Sequence, residues 1–203
     1  MLFYFIPLME LFITRHPLTE ENKRKMIQSH QDSNISEEGK LELRRLIKRL
    51  KREKISFIYS SDSPRCVYAG ERISLSLKIP IEFTELLREY NRGDLIKAGE
   101  VVPEWGTIKI PNHEWVPSNG ESIYQLYERI DKVINAIGID SKKKILFVTH
   151  SFVAKAIVSR ILGLNVIECA KSFSISNCSL TKISYKNETA RIGYLNSYDF
   201  LKS

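Results

Sequence analysis

The sequence predicts an α/β fold with three layers (α/β/α), in which helices cover both faces of a mostly parallel central sheet. Short apolar runs recur along the chain, amphipathic stretches of helical period lie between them, and Pro, Ser or Gly marks several of the boundaries. Strands that alternate with helices are typical of parallel sheets with right-handed crossovers. The chain has 203 residues, of which 43% are hydrophobic and 27% charged, so we expect one domain over residues 1–203 with a sizeable core.

Six runs have the length and composition of strands. They are Glu10–Thr14, Ile55–Tyr59, Ile79–Phe83, Ile145–Thr149, Leu180–Tyr185 and Arg191–Tyr194. The last two flank the polar residues 186–188, so we expect them to form a hairpin that supplies an antiparallel edge strand. The other four alternate with helical stretches and are expected to form the parallel part of the sheet.

Four stretches have apolar residues at helical spacing. They begin after Ser36, near Pro64, at Ser122 and at Ser151, and the last two end before Gly138 and Gly163. Serine is a favourable N-cap, proline suits the first helical turn, and glycine favours the end of a helix. Residues 93–120 interrupt the alternation with three prolines and both tryptophans, and we expect them to form a short irregular insert.

The first predicted helix carries most of the net charge of +7. Between Lys40 and Lys54, eight basic residues stand against two glutamates. The apolar residues of this segment share one helical face, so its basic residues face away from the core. A docking surface for nucleic acid or anionic lipid is one interpretation. We favour a solvated helix face, because no aromatic residues that could stack on bases lie between the charges.

The cysteines and the amino terminus bear on the cellular compartment. Cys66, Cys169 and Cys178 are odd in number and widely spaced, without zinc-ligand spacing, so we expect a reduced, cytoplasmic protein. Residues 1–8 are apolar, but they lack the basic segment and the cleavage site of a signal peptide and are too short to span a bilayer. We treat them as a candidate N-terminal extension and expect no association with a membrane.

Polar residues follow each of the four predicted parallel strands. Arg15 and His16 follow the first, Ser60, Ser61 and Arg65 the second, Glu89 the third, and Thr149 and His150 the fourth. Because the carboxyl ends of parallel strands meet at one edge of a sheet, we expect these side chains to lie together. Exposure to solvent at a strand end could explain any one of them, but not all four sets at once.

This combination of residue types suits the transfer of a phosphoryl group. Arginines form paired, charge-assisted hydrogen bonds to phosphate oxygens, and a helix that starts after His150 points N–H groups at the same anion. A neutral histidine nitrogen can attack phosphorus, and a glutamate can protonate the leaving oxygen and then activate water. The sequence has no Walker loop and no metal-ligand cluster, so we expect neither a cofactor nor a metal.

Seven segments of the chain carry these residues in a fixed order. They are RHPLTEEN at Arg15–Asn22, DSNISEEG at 32–39, SSDSPR at Ser60–Arg65, LREYNRGD at Leu87–Asp94, GES at Gly120–Ser122, VTH at Val148–His150 and NCS at Asn177–Ser179. In this order and at these spacings they resemble the motifs of the histidine phosphatase superfamily, in its phosphoglycerate mutase-like branch. The resemblance covers nearly the whole chain and implies the α/β/α fold predicted above, with the insert 93–120 over the active site.

The resemblance also implies a role for each residue at the strand ends. The expected catalytic residues are Arg15, His16, Arg65, Glu89 and His150. His16 would be the nucleophile that passes through a phosphohistidine, and Glu89 the proton donor to the leaving group. The expected phosphate contacts are Arg15, Asn22, Arg65, His150 and Ser151. For Asn22 and Thr19, capping of a short helix explains the sequence nearly as well.

Two positions depart from the family pattern. Pro17 stands where the family has glycine, and proline fixes φ and lacks an N–H. If that N–H helps to bind phosphate or to orient the loop, activity is expected to be weaker. Ser151 stands where a second glycine is usual, but its N–H is still available at the start of the helix.

The sequence favours hydrolysis over mutase chemistry. Mutases of the family bind a phosphorylated carboxylic acid with an arginine directly after the glutamate, a later lysine and an arginine pair in the insert. Here Tyr90 follows Glu89, and residues 96–117 contain only Lys97 and Lys109 as lysine or arginine. The insert is also short for a lid that must exclude water. We therefore expect a metal-independent phosphomonoester hydrolase that acts on a small phosphorylated metabolite or a phosphoprotein.

Further residues are candidates for substrate binding, all but Thr19 of them in the pocket of the leaving group. They are Thr19, Tyr90, Arg92, Trp105, His113 and Trp115. For the two tryptophans, a small packed cluster under the insert is an equally good explanation.

Two other functions stay open. One is phosphoryl transfer of the phosphoglycerate mutase type, with the same residues. The other is a catalytically weak protein that binds nucleic acid or an acidic partner through the basic segment 40–54. Retention of the full His, Arg and Glu set argues against the second, so we expect a small phosphorylated substrate rather than nucleic acid as the partner. The sequence leaves the oligomeric state open, a homodimer included.

Overall fold

A computed structural model of the protein describes residues 9–26, 28, 33–95, 112–137, 143–186 and 189–202. The strands are β1 (Met9–Arg15), β2 (Phe57–Ser61), β3 (Ile81–Thr84), β4 (Lys144–Thr149), β5 (Leu180–Lys186) and β6 (Thr189–Ser197). The helices are α1 (Glu20–Lys23), α2 (Glu37–Leu50), α3 (Pro64–Leu77), α4 (Ile123–Ile137), α5 (Ser151–Leu162) and α6 (Val166–Ser172). Short 3₁₀ turns lie at Glu85–Leu87, Gly93–Leu95 and Asp199–Leu201. Residues 1–8 and most of the predicted insert fall outside the described residues.

The described strands form a six-stranded sheet in the order β3-β2-β4-β1-β5-β6. Strands β3, β2, β4 and β1 run parallel, whereas β5 is antiparallel to β1, and β6 is antiparallel to β5. The predicted fold class is therefore confirmed, with the β5–β6 hairpin as the antiparallel edge.

Helices cover both faces of the sheet, because successive side chains of a strand point to opposite faces. In β1, Leu11 and Ile13 point into a core that α4 and α5 complete, whereas Phe12 points into a second core with α2 and α3. Helix α2 has the predicted amphipathic pattern, with Leu43 and Leu46 buried in this second core. The result is the three-layer arrangement that the sequence predicts.

Some boundaries differ from the prediction, and each difference has a local cause. β2 runs on through Ser60 and Ser61, whose backbones pair with neighbouring strands although their side chains are polar. β3 begins only at Ile81, because Pro80 has no N–H for the strand ladder. The helices α1 and α6 were not predicted, since 4 and 7 residues are too few to show a periodic pattern.

Helix α4 begins one residue after the predicted start because Ser122 caps it. The Ser122 hydroxyl accepts a hydrogen bond from the Gln125 N–H at 3.1 Å, and the Gln125 side chain accepts one from the Ser122 N–H at 2.7 Å. These reciprocal bonds form a capping box. They fix the direction in which α4 leaves the GES segment.

The parallel strands end at a common edge of the sheet. Arg15 pairs with Thr149 in the β1–β4 register, and Ser61 pairs with Thr84 in the β2–β3 register. The residues that follow these positions therefore lie at the same edge, which is where open α/β sheets bind their ligands.

Candidate active site

The five predicted catalytic residues all follow this edge of the sheet. Arg15 ends β1 and His16 comes directly after it, while His150 is the N-cap residue of α5. Arg65 lies in the first turn of α3, and Glu89 follows the 3₁₀ turn after β3. His16, Arg65 and His150 are 3%, 2% and 0% exposed, so three ionisable side chains are nearly excluded from water.

The ring of His16 is held in one tautomer. Its Nδ1 lies 2.8 Å from the carbonyl oxygen of Pro17. A carbonyl oxygen only accepts hydrogen bonds, so Nδ1 carries the proton and Nε2 keeps its lone pair. Burial, followed by the charges of Arg65 and Arg15, holds the pKa of His16 well below its ordinary value. His16 is therefore neutral at physiological pH, with Nε2 in the form that a nucleophile requires.

The backbone of His16 is fixed on both sides. Its N–H donates to the carbonyl of Thr149 at 2.9 Å, and its carbonyl accepts from Nδ2 of Asn177 at 2.9 Å. The same Nδ2 lies 3.2 Å from Oδ1 of Asn22. The Pro17 carbonyl accepts the hydrogen bond from the His16 ring. A glycine at this position would offer the same carbonyl. Whether the missing N–H of Pro17 weakens activity stays a prediction.

His150 has the opposite tautomer. Nη2 of Arg65 lies 3.1 Å from Nδ1 of His150. A guanidinium only donates, so Nδ1 must be the acceptor, and the proton lies on Nε2. Nε2 then donates to the hydroxyl of Ser61 at 3.0 Å. Burial and the charge of Arg65 lower the pKa of His150 well below its ordinary value, so this ring is also neutral.

Cys66 closes the space behind His150. Its Sγ lies 3.5 Å from the carbonyl oxygen of Thr149 and 3.5 Å from Nε2 of His150. Burial raises the pKa of the thiol to about 12. Cys66 is therefore uncharged, and Arg65 supplies the positive charge next to His150.

The two histidine rings and Arg15 face a common space. The ring centroids of His16 and His150 are 5.4 Å apart, with planes inclined at 59°. Nη1 of Arg15 donates to the Ile175 carbonyl at 3.0 Å, and its buried Nε has no hydrogen-bond partner among the described residues. An unmet buried N–H is unfavourable, and a phosphoryl oxygen would satisfy it.

Glu89 is held by backbone N–H groups at the edge of this space. Its Oε1 accepts from the N–H of Tyr90 at 2.8 Å, and its Oε2 accepts from the N–H of Phe152, in the first turn of α5, at 3.4 Å. The hydroxyl of Thr149 donates to the Leu87 carbonyl at 2.8 Å and fixes the preceding turn to β4. The carboxylate is thus connected to the helix that begins at His150.

Arg129 of α4 holds the loop that carries Glu89. Its guanidinium donates to the carbonyls of Leu86 at 2.6 Å and of Glu89 at 3.3 Å. It also pairs with both carboxylate oxygens of Glu121, at 2.9 and 2.7 Å. Glu121 in turn accepts from the N–H of Asn91 at 2.8 Å. One ion pair therefore fixes the backbone on both sides of Glu89.

Thr19 and Asn22 take part in capping. The Thr19 hydroxyl accepts from the N–H of Asn22 at 3.1 Å, as the N-cap of α1, and from Nε2 of Gln28 at 2.8 Å. Asn22 reaches the site only through Asn177 among the described contacts. Ser151 is the first residue of α5 and is half-buried. Contact of these residues with phosphate stays a prediction.

The described candidates for the leaving-group pocket differ in burial and in contacts, and their role in binding stays a prediction. Tyr90 is buried, and its ring stacks on Phe152 at 4.9 Å. The His113 ring lies 5.8 Å from that of Tyr124. Trp115 is half-buried, and its backbone N–H donates to Oδ1 of Asn112 at 2.8 Å. Trp105 lies outside the described residues. The guanidinium of Arg92 lies 5.8 Å from the ring centres of both Tyr90 and Phe152, close to the loop of Glu89.

Four residues at or near the site were not among the predicted site residues. Ser61, Arg129 and Asn177 form hydrogen bonds with site residues, and the charge of Glu89 acts on Lys155. Three of them lie in or near motifs of the sequence, but the motif does not say which neighbour each side chain meets. Lys155 has a different signal, because it is a single lysine in the otherwise apolar run of a helix.

The described residues contain neither a cluster of metal ligands nor a helix that could span a membrane. Within 9–95 and 112–202, apart from the gaps, no group of three or more His, Cys, Asp or Glu side chains is arranged to hold a metal ion. None of the helices in the described part of the chain has the length and hydropathy needed to cross a membrane.

The three-layer fold places two histidines and two arginines at one edge of its sheet, an arrangement that points to the family that the motifs suggested. The family model of the histidine phosphatase superfamily (branch 1) matches residues 11–197 of this sequence. The chain therefore belongs to the histidine phosphatase superfamily, as its motifs suggested. The match runs from the third residue of β1 to the last residue of β6 and includes every strand end described above.

Comparisons with individual proteins agree with this assignment. The chain is 31% identical over 161 residues to phosphoglycerate mutase-like protein 4 of Arabidopsis thaliana, an alignment that covers 74% of this chain and 70% of that protein. The structure of Bacillus stearothermophilus YhfR matches with a TM-score of 0.80 at 25% identity, over 95% of this chain and 99% of that one. Mycobacterial glucosyl-3-phosphoglycerate phosphatase shares the fold, with a TM-score of 0.78 at 20% identity over 94% and 99% of the two chains.

Proposed function

We propose that this protein is a metal-independent phosphomonoesterase that works through a phosphohistidine on His16. One observation carries the proposal. The His16 ring is buried and neutral, its proton is held on Nδ1 by the Pro17 carbonyl, and Nε2 keeps its lone pair. Arg15 and Arg65 stand beside it to neutralise a phosphoryl group. A protein that only binds phosphate has no need of an activated nucleophile.

The first half of the reaction forms the phosphoenzyme. Nε2 of His16 bonds to phosphorus as the ester P–O bond breaks, and Glu89, in its acid form, gives its proton to the leaving oxygen. The ring becomes positively charged, and its Nδ1–H stays on the Pro17 carbonyl, which stabilises that charge. Arg15 and Arg65 hold the phosphoryl oxygens throughout.

The second half returns the enzyme to its starting state. The Glu89 carboxylate takes a proton from a water molecule as the water oxygen bonds to phosphorus and the P–N bond breaks. Inorganic phosphate leaves, and His16 is again neutral with its proton on Nδ1. Glu89 thus serves first as acid and then as base. The two backbone N–H groups that donate to its oxygens fix the position of its carboxyl group for both steps.

Phosphoryl transfer of the mutase type is the second candidate, because the first half-reaction is common to both. The name of the Arabidopsis relative, phosphoglycerate mutase-like protein 4, favours it. Tyr90 in place of an arginine speaks against it. We further propose that the chain forms one cytoplasmic domain with a small phosphorylated substrate. The basic segment 40–54 is left without an assigned ligand.

The test is phosphate release from p-nitrophenyl phosphate and from 3-phosphoglycerate in the presence of EDTA. We expect turnover in wild type and none in His16→Ala. Enzyme quenched in alkaline detergent during turnover should carry a phosphoryl group that is stable in base and labile in acid, as phosphohistidine is, in wild type only. Lys48→Ala, which changes an exposed side chain of α2, is the matched control and should behave as wild type.

Three outcomes would contradict the proposal. Release that persists in His16→Ala would exclude His16 as the nucleophile. Release that needs an added metal ion would exclude the metal-independent mechanism. Conversion of 3-phosphoglycerate into 2-phosphoglycerate without phosphate release would replace hydrolysis by the mutase alternative.

A further inference from the structure

The side chain of Arg88 joins two loops at the active-site edge of the sheet. Its Nε and Nη2 donate to Oδ1 and Oδ2 of Asp62 at 2.7 and 2.5 Å. Arg88 directly precedes Glu89 in the chain. Asp62 directly follows Ser61 at the end of β2. One ion pair therefore connects the loop that carries the proposed acid to the turn after β2.

Asp62 lies in a turn that is fixed against the ring of His150. The Ser61 hydroxyl accepts from Nε2 of His150 at 3.0 Å. It also accepts from the N–H of Ser63 at 3.2 Å and donates to the Ser63 hydroxyl at 3.1 Å. Ser63 is the N-cap residue of α3, whose first turn carries Arg65, and Nη2 of Arg65 lies 3.1 Å from Nδ1 of His150. The chain on both sides of Asp62 is thus held by contacts that lead to His150.

The loop of Glu89 is held at two further points, by other elements. The hydroxyl of Thr149 donates to the Leu87 carbonyl at 2.8 Å, and Nη2 of Arg129 donates to the Glu89 carbonyl at 3.3 Å. These bonds connect the loop to β4 and to α4. The side chain of Arg88, between the two carbonyls in sequence, connects it to the turn after β2. The position of the loop relative to that turn therefore depends on the ion pair.

The exposure of the pair indicates that its role is geometric. The side chains of Arg88 and Asp62 are 40% and 32% exposed. Exposed ion pairs contribute little to stability, because water screens the charges. Two parallel bonds between a guanidinium and a carboxylate, however, fix both the distance and the orientation of the two groups. The carboxylate of Glu85 also lies 3.6 Å from Arg88, but it meets a single nitrogen and belongs to the same loop.

The first step of the proposed reaction needs both sides of the site at the same time. Nε2 of His16 attacks phosphorus while Glu89 gives its proton to the leaving oxygen. A small error in the distance between reacting groups lowers the rate of such a step strongly. The loss is largest where the leaving oxygen needs the proton and smallest where it leaves readily as an anion.

We propose that Asp62 and Arg88 are positioning residues, whose ion pair sets the distance between Glu89 and the phosphate-binding side of the site at His150 and Arg65. This inference rests on the proposed function and adds residues that act on its first step. Neither side chain has to touch the substrate. Loss of either one should slow the formation of the phosphoenzyme most for substrates that need an acid.

A double-mutant cycle on two substrates of similar shape tests this role. The proteins are wild type, Asp62→Ala, Arg88→Ala and the double variant, and the substrates are phenyl phosphate and p-nitrophenyl phosphate. We expect each single variant to lower kcat/KM by about tenfold or more for phenyl phosphate but by less than about threefold for p-nitrophenyl phosphate. Because both changes break the same contact, the double variant should lose no more than the more damaged single variant.

A conservative variant and a matched ion pair complete the test. Arg88→Lys keeps a cation but cannot form the paired contact, so it should recover part of the activity on phenyl phosphate. Arg160 and Asp131 form the same kind of paired contact on the surface between α5 and α4. Asp131→Ala and Arg160→Ala should keep the wild-type ratio between the two substrates. Circular dichroism checks folding, and the two Arg88 variants keep the test decisive if Asp62→Ala does not fold.

The outcomes separate this inference from the proposed function. If wild type hydrolyses both substrates but the variants lose equally on the two, the positioning role is wrong while the phosphatase stands. The same holds if the loss in the double variant is the product of the two single losses. If wild type hydrolyses neither substrate and His16→Ala behaves identically, the proposed function fails, and the positioning role with it.

Discussion

The carbonyl oxygen of Leu18 occupies the place where a side chain on Gly39 would begin. A β-carbon built on Gly39 would lie 2.1 Å from this oxygen, far inside van der Waals contact. The oxygen accepts hydrogen bonds from the N–H and the hydroxyl of Ser36, at 3.0 and 3.1 Å. The first turn of α2 therefore holds the chain two residues after His16, which is the physical reason for the glycine in the segment DSNISEEG.

Replacing Gly39 by alanine should damage both stability and activity. The methyl group must displace Leu18 or tilt α2, and we expect the free energy of unfolding to fall by about 1–3 kcal/mol, as overpacking does. The displaced loop should also lower kcat for p-nitrophenyl phosphate, since it carries His16 and Pro17. Urea denaturation and steady-state kinetics measure the two effects.

The neighbouring variant Lys40→Ala is the control for Gly39→Ala. Lys40 pairs with Glu37 at the helix surface, so its loss should change the free energy of unfolding by less than about 0.5 kcal/mol. A Gly39→Ala protein as stable and as active as Lys40→Ala would show that the close approach to Leu18 is not needed.

The Ser61 hydroxyl should matter to catalysis because it fixes the tautomer of His150. Arg65 requires a lone pair on Nδ1, and Ser61 accepts the proton on Nε2. In Ser61→Ala the ring loses this acceptor and can rotate, so we expect kcat/KM for p-nitrophenyl phosphate to fall by roughly tenfold or more. The folded protein should keep its secondary structure, because the backbone of Ser61 still pairs in β2.

Ser56→Ala is the matched control, at the position directly before the start of the same strand. Its hydroxyl donates to the Lys144 carbonyl at 3.1 Å, away from the site. Ser56→Ala should keep wild-type kcat/KM. Equal losses in the two variants would assign the effect to the sheet rather than to His150.

The sequence predicts the strand ends of this protein well for a physical reason. Residues such as Arg15, His16 and His150 stand directly after apolar runs, and parallel pairing brings such positions to one edge whatever the details of the helices. The family match confirms the assignment that these motifs suggested. The predicted roles of the individual residues remain predictions.

What the sequence could not predict depends on contacts between distant segments. The tautomer of His150 follows from a single donor in a distant segment, the Arg65 guanidinium. Arg129 lies 40 residues from Glu89 and meets its carbonyl only because α4 packs beside that loop. No periodic pattern or local motif contains such information. Boundaries also shifted, because Ser60 and Ser61 pair as strand residues in spite of their polarity.

Stability should fall on mild acidification because His16 and His150 are buried in neutral form. Their pKa values in the folded protein lie well below the ordinary 6.5. Below pH 6.5 the unfolded chain therefore takes up protons that the folded chain does not, and stability decreases as the pH falls. The slope approaches about 1.4 kcal/mol per pH unit for each histidine. Urea denaturation between pH 7.5 and about pH 5 measures it.

The variant His16→Asn isolates the contribution of one histidine. It should show about half of the wild-type loss over the same pH range. Glu42 acts with the opposite sign, since burial raises the pKa of its carboxyl, but it is common to both proteins and cancels in the comparison. Parallel pH curves for wild type and His16→Asn would contradict a depressed pKa at His16.

Loss of Arg129 should lower kcat most for substrates whose leaving oxygen must be protonated. Arg129 holds the Glu89 carbonyl and, through Glu121, the N–H of Asn91. In Arg129→Gln the loop is less restrained, and Glu89 is less well placed as an acid. We expect kcat to fall by roughly a hundredfold for an alkyl phosphate, whose leaving oxygen must be protonated, but several-fold less for p-nitrophenyl phosphate. The dependence of rate on leaving-group pKa should steepen.

Arg160→Gln is the control for Arg129→Gln, because Arg160 also forms a paired contact with a carboxylate, that of Asp131, but on the exposed surface between α5 and α4. It should retain the wild-type dependence on the leaving group. Arg129→Lys should recover part of the alkyl phosphatase activity, since an ammonium can reach one carbonyl but cannot form the paired contact with Glu121. Equal losses on alkyl and aryl phosphates in Arg129→Gln would mean that Arg129 supports the fold of the loop without placing the acid.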